Sequence, residues 1–140
     1  MIESKAESVP LRAAGKPRVL IVDDERKNRD LFEVLLSQDG YDLTTASSGE
    51  DALALVANAL PDLVLLDVMM PGMDGYQVAV KLKADQRTMH IPVVMLSALT
   101  DRNSMMHGLS AGAAAYLAKP VDGAELRLQV RNLLRLTGDS

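Results

Sequence analysis

Three aspartates, a serine and a lysine hold the positions in this 140-residue chain where side-chain chemistry is expected. Asp23 and Asp24 close the apolar run 19–22, Asp67 closes the run 63–66, and Ser97 closes the run 93–96. Lys119-Pro120 follows the weaker run 114–117. Three carboxylates packed together repel one another, and their pKa values rise unless a cation sits among them. With oxygen donors only, and no Cys or neighbouring His, the cation such a group would take is a hard one. Mg²⁺ suits a site of few carboxylates that keeps waters and accepts a phosphate oxygen. Lys119 would then hold a second phosphate oxygen as a point charge, and Ser97 would hydrogen-bond a third. A carboxylate facing a phosphoryl group neutralised in this way can act as a nucleophile and form an acyl phosphate.

That chemistry requires the five residues to meet, and the pattern of elements predicts that they do. The runs 19–22, 63–66 and 93–96 are short, branched and continuously apolar, as strands buried on both faces are. The segments 43–46 and 114–117 are weaker strands. Between them lie segments with helical spacing: 26–38, 51–59, 76–84, 102–111 and 124–136. In the first of these, Leu31, Val34, Leu35 and Gln38 form the expected packing stripe. Ser47 with Glu50, and Asp122 with Glu125, are capping-box patterns. Gly40, Gly72, Gly75 and Gly112 fall where turns are expected. Five strand–helix units imply an α/β fold: a doubly wound, five-stranded parallel sheet with right-handed crossovers. The expected strand order is 2-1-3-4-5, with ligands at the carboxyl edge between strands 1 and 3. All five polar residues would lie on that edge. Singly, each has an ordinary use, since an Asp at a strand end caps the next helix and a lone Lys is solvated. Asp67 fits capping least, because the next helical pattern begins beyond Pro71-Gly72. Their conjunction is what points to a site.

Composition narrows the field further. The chain is 48% hydrophobic and 24% charged, one ordinary globular domain with a single sizeable core. It has no cysteine, which excludes disulfides, thiolate metal sites and cysteine nucleophiles. A net charge of −4 and 3% aromatics argue against direct nucleic-acid binding. Residues 1–16 contain no apolar stretch, and no run is long enough to span a bilayer. The expected organisation is a flexible N-terminal arm over 1–16, one domain over 17–137 and a C-terminal end over 138–140, in a cytoplasmic protein.

The motifs VLIVDDE (19–25), LVLLDVMMPGMDGY (63–76), IPVVMLSA (91–98) and YLAKP (116–120) resemble those of receiver domains of two-component response regulators. The resemblance covers roughly residues 18–136, and it implies a flavodoxin-like receiver fold. It implies that Asp67 is the phosphoacceptor and that Asp24 is a direct Mg²⁺ ligand, with Asp23 acting mainly through water. The backbone carbonyl of Met69 is the implied third protein ligand. Ser97 is the implied switch hydroxyl, Lys119 the phosphate-binding lysine, and Tyr116 the switch aromatic. The Lys119–Pro120 bond is expected to be cis, which proline tolerates. The implied function is a phosphorylation-activated signalling switch and not an enzyme in the usual sense. It would take a phosphoryl group from a histidine kinase or phosphotransfer protein. The change in its fourth helix, fifth strand and fifth helix would control an output domain or target protein. The resemblance also implies that Met69 and Leu99 flank the path by which water would reach the phosphoryl group. The loop also looks like that of receivers that precede cyclic-dinucleotide enzymes.

Two other readings use a similar sheet. A Mg²⁺-dependent phosphohydrolase of the haloacid dehalogenase kind needs a second acid two residues after its nucleophile, where this chain has Met69. A flavodoxin-like cofactor module needs a Gly-rich phosphate loop after strand 1, which is absent. His90 and His107 read as surface residues. Met105-Met106 on the fourth helix read as filler or a partner contact. Arg127, Arg131 and Arg135 recur every four residues on the last helix, as a solvated face or as half of a charged homodimer interface.

Overall fold

The structure is a computed structural model, and it describes residues 15–138. Most of the expected N-terminal arm therefore lies outside the described residues. Five strands, β1 (Arg18–Val22), β2 (Asp42–Ala46), β3 (Leu63–Asp67), β4 (Val93–Ser97) and β5 (Ala115–Ala118), form one sheet. All neighbouring pairs are parallel and the order is β2-β1-β3-β4-β5, as the sequence predicts. Helices α1 (Arg26–Ser37), α2 (Gly49–Asn58), α3 (Gly75–Ala84), α4 (Arg102–Ser110) and α5 (Gly123–Gly138) connect and cover the strands.

Successive strand residues point to opposite faces, so each central strand feeds two cores. Leu20, Val22, Val64, Leu66, Val93 and Met95 pack with Ala52 and Val56 of α2 and Val78, Ala79 and Leu82 of α3. Val19, Ile21, Leu63, Leu65, Val94 and Leu96 pack with Phe32 and Leu36 of α1 and Leu126, Val130 and Leu134 of α5. Both β3 and β4 are buried throughout, which is why their sequences are continuously apolar. The edge strand β2 is buried only at Ala46, and its Thr44 and Thr45 suit a half-covered pleat.

Three local expectations are corrected. The buried stripe of α1 is Phe32 and Leu36, while Leu31 and Val34 are 49% and 63% exposed. A helix turns by about 100° per residue, and the face turned to the sheet carries Phe32 and Leu36, with Leu35 of the expected stripe partly buried beside them. The cap of α2 is Ser48, which accepts from Asp51 N at 3.0 Å, one residue later than the Ser47–Glu50 pattern. Gly75 is the first residue of α3, not a turn residue. A Cβ there would collide with the Asp67 carbonyl oxygen and lie 2.8 Å from Val68 Cα, so α3 starts directly against the end of β3. Gly75 N donates to Val68 O at 2.9 Å. By contrast Gly40, Gly72 and Gly112 do take positive φ. Asp122 accepts from Glu125 N at 3.2 Å, as expected of a cap. Asp74 and Gln77 form a complete capping box on α3 that the sequence reading lacks.

Candidate functional site

The carboxyl ends of β1, β3, β4 and β5 carry the five polar residues to one edge of the sheet. Asp23 and Ser97 are fully buried and Asp67 nearly so. Lys119 Nζ lies 3.0 Å from Asp67 Oδ1 and 3.1 Å from Asp23 Oδ2. Asp24, beside them, is open to solvent. Carboxylate oxygens of Asp23, Asp24 and Asp67 all lie within 4.8 Å of one another. The Lys119–Pro120 bond is cis.

Burial pushes the Asp67 carboxyl up to about 6; the Lys119 hydrogen bond opposes this and the Asp23 charge adds to it. Burial also works against the Lys119 ammonium, but its bonds to Asp67 and Asp23 outweigh that and hold its pKa above the ordinary value. Two buried carboxylates with one bridging ammonium, and a third carboxylate at the mouth, form an all-oxygen donor set that fits a hard divalent cation. Of this set, Asp67 is the buried carboxylate whose ionised oxygen could act as a nucleophile.

Around Ser97 the geometry adds a feature that sequence does not show. Ser97 Oγ accepts from Leu99 N at 2.9 Å, and Leu99 O accepts from the Tyr116 hydroxyl at 2.8 Å. One peptide unit pair at Leu99 therefore joins the two expected switch residues. Tyr116 is half-buried and turned inward over Gly108. An Ala methyl at 108 would lie 2.7 Å from Tyr116 Cδ2 and 3.0 Å from Met95 Sδ. We expect Gly108→Ala to drive the ring outward and break its bond to Leu99. The overpacking, about 1–3 kcal/mol, is set against roughly 1 kcal/mol of gained helix propensity. Tyr116 ring and Leu99 amide resonances would report the displacement, and unchanged spectra would count against it.

Tyr76 and His107 form a further contact. Tyr76 follows Gly75 on α3 and donates to Ser104 O of α4 at 3.2 Å. Its ring stacks on His107, with centroids 3.9 Å apart and planes at 16°. Burial, then the Tyr116 hydroxyl, pushes the Tyr76 phenol up to about 12. His107 is thus exposed as expected, yet it ties α4 to α3. Arg127 is not part of a free stripe: it makes a bidentate pair with Asp39, at 3.1 and 2.9 Å. Met105, Met106 and Leu109 lie on the open side of α4. Met69 is 57% exposed, and its backbone N–H donates to Asp67. Among the described residues, no helix is long and apolar enough to cross a membrane.

A family model described as the response regulator receiver domain matches residues 19–131. The chain belongs to that family. As a receiver domain it is 49% identical over 118 residues to the response regulator PleD of Caulobacter vibrioides, covering 84% of this chain and 26% of that protein. It is 43% identical over 121 residues to the DNA-binding dual master transcriptional regulator RpaA of Synechocystis, covering 86% of this chain and 50% of that protein. The receiver domain thus spans about a quarter to half the length of these curated relatives. Among solved structures, the receiver domain of the Francisella response regulator 1452 is 33% identical, with a TM-score of 0.81 over 86% of this chain and 98% of that one. A CheY-like receiver domain protein of Methanospirillum hungatei is 26% identical, with a TM-score of 0.83 over 89% and 98%.

Proposed function

We propose that this receiver domain takes a phosphoryl group onto Asp67 from a histidine kinase or phosphotransfer protein. The observation that carries this reading is the buried Asp67 carboxylate, bridged through Lys119 to Asp23 with Asp24 at its open side. An Asp67 oxygen attacks phosphorus, the phosphorus–nitrogen bond of the donor phosphohistidine breaks, and the imidazole leaves as a neutral group after taking a proton. Hydrolysis is the reverse in kind: water attacks phosphorus, the carboxylate leaves, and inorganic phosphate is released. Asp24, Asp67 and the Met69 carbonyl would hold Mg²⁺ directly, and Asp23 through water. Bound there, Mg²⁺ would neutralise charge on the phosphoryl oxygens. Lys119 binds a phosphoryl oxygen as a point charge.

Output follows from Ser97. When its hydroxyl turns to a phosphoryl oxygen, Leu99 N loses its acceptor and the Leu99 carbonyl held by Tyr116 shifts with it. This is a two-state element biased by one hydrogen bond. The face made by α4, β5 and α5 would change and control an output domain, a target protein or a second copy of the domain. RpaA is named as DNA-binding; for these 140 residues alone, acidic and poor in aromatics, we propose no direct nucleic-acid contact and a cytoplasmic location. Ser97→Ala should still be phosphorylated but lose the response at Tyr116. Unchanged Tyr116 shifts on phosphorylation of that variant would count against the coupling.

The test of the function itself is incubation with Mg²⁺ and a small phosphodonor. One acid-labile, hydroxylamine-sensitive phosphoryl group should form on Asp67, and chelation of the metal should prevent it. A stable phosphoester, or label on another residue, would overturn the reading.

A further inference from the structure

Asp23 is gripped by the start of α1 as well as by Lys119. Its Oδ1 accepts from Glu25 N at 2.9 Å and from Asn28 Nδ2 at 3.3 Å. Its backbone carbonyl accepts from Arg29 Nη1 at 2.8 Å. Only Oδ2 faces Lys119. Asn28 Nδ2 also donates to Glu25 Oε1 at 3.1 Å, so one amide nitrogen serves two carboxylates. An amide nitrogen has two hydrogens to give, and both are committed here. Two donors on Oδ1, with Lys119 on Oδ2, hold the Asp23 carboxylate from both oxygens; without Asn28, Oδ1 keeps only the Glu25 N–H, and the carboxylate gains freedom to tilt about its Cβ–Cγ bond. The same amide ties Glu25, the carboxylate next in sequence to Asp24, back to α1.

We propose that Asn28 is a positioning residue for the divalent cation: it orients Asp23 and restrains Glu25, and thereby sets the metal affinity of the acidic cluster. The inference rests on the phosphoacceptor reading above. Groups that orient metal ligands without touching the metal typically change affinity by about 10–100-fold when removed. Asn28 is half-buried in the first turn of a twelve-residue helix, and replacing it leaves the core untouched.

The experiment is a Mg²⁺ titration of the 140-residue chain followed by backbone amide shifts at Asp24 and Asp67. Wild type is compared with Asn28→Leu, Asn28→Ala and an Asp24→Asn control, all checked for fold by circular dichroism. We expect both Asn28 variants to bind Mg²⁺ about tenfold more weakly or worse. Phosphorylation by a small donor should fall at low Mg²⁺ and recover at saturating Mg²⁺, a split that a general loss of structure would not give. A wild-type dissociation constant in either folded variant overturns the inference. So does a transfer defect that saturating Mg²⁺ does not restore. If wild type itself binds no Mg²⁺ and matches Asp24→Asn, the metal reading of the site fails and this inference falls with it.

Discussion

Asp67→Asn will accept no phosphoryl group, and it will make the protein more stable at pH 7. The first effect is the loss of the nucleophile. The second comes from linkage. Folding raises the Asp67 pKa from 3.8 to about 6, with burial as the main cause. Well below pH 3.8 the group is protonated in both states and costs nothing. As pH rises toward 6, the unfolded chain releases the proton that the folded chain keeps, so stability falls. Above pH 6 the cost is complete, at most about 3 kcal/mol at 1.36 kcal/mol per pKa unit. Lys119 does not reverse this: its raised pKa adds stability that is fully present below its ordinary 10.5 and is lost only at more alkaline pH. Asn keeps the volume and the oxygen that Lys119 contacts but not the charge. A gain of roughly 1–3 kcal/mol at pH 7, or several degrees in Tm, should shrink as pH falls through 6 and vanish well below pH 4. Thermal melts of both proteins across that range would test it, and equal Tm values at pH 7 would refute it.

Met69→Asn combined with Leu99→Glu will shorten the life of the phosphorylated state about tenfold or more, or roughly 1.4 kcal/mol of barrier. Hydrolysis needs a water in line with the bond to be broken, and side chains beside that path orient or exclude it. Met69 is largely exposed and Leu99 half-buried. Both are apolar, and neither offers a hydrogen bond to a water. The wild type should therefore hold its phosphoryl group longer than the double variant, at matched Mg²⁺ and without kinase. Equal decay in the two proteins would sink the idea.

The features legible in the sequence were those written in local pattern. Continuous apolar runs marked β1, β3 and β4, and the polar residue ending each run marked the edge where Asp23, Asp67 and Ser97 meet. What escaped depends on partners distant in the chain or on rotation. Arg127 looked free because Asp39 lies 88 residues away. In α1 the stripe is legible only in part: Leu35 packs against the core, but Leu31 and Val34 are as apolar as the residues that are buried, Phe32 and Leu36. Helical spacing alone does not choose between adjacent stripes. His107 lies at the surface, as its sequence setting predicts; its stacking on Tyr76 requires the α3–α4 approach that only tertiary structure provides. Asn28 left a trace, since it lies five residues after Asp23 at a helix start. Nothing local says which carboxylate its amide will reach.

The close seating of Gly75 on the end of β3 gives the site a direction. With α3 set directly against the Asp67 carbonyl, that side of the pocket is an abutment: displacement of the Asp67 backbone would have to carry a whole helix with it. The opposite side is held by single hydrogen bonds, from Leu99 N to Ser97 Oγ and from the Tyr116 hydroxyl to Leu99 O, that lie outside the ladder of the sheet. On the switching role proposed above, movement at Asp67 would be directed toward α4 and β5. Replacing Gly75 by any larger residue would push the start of α3 off the end of β3 and loosen that fixed side.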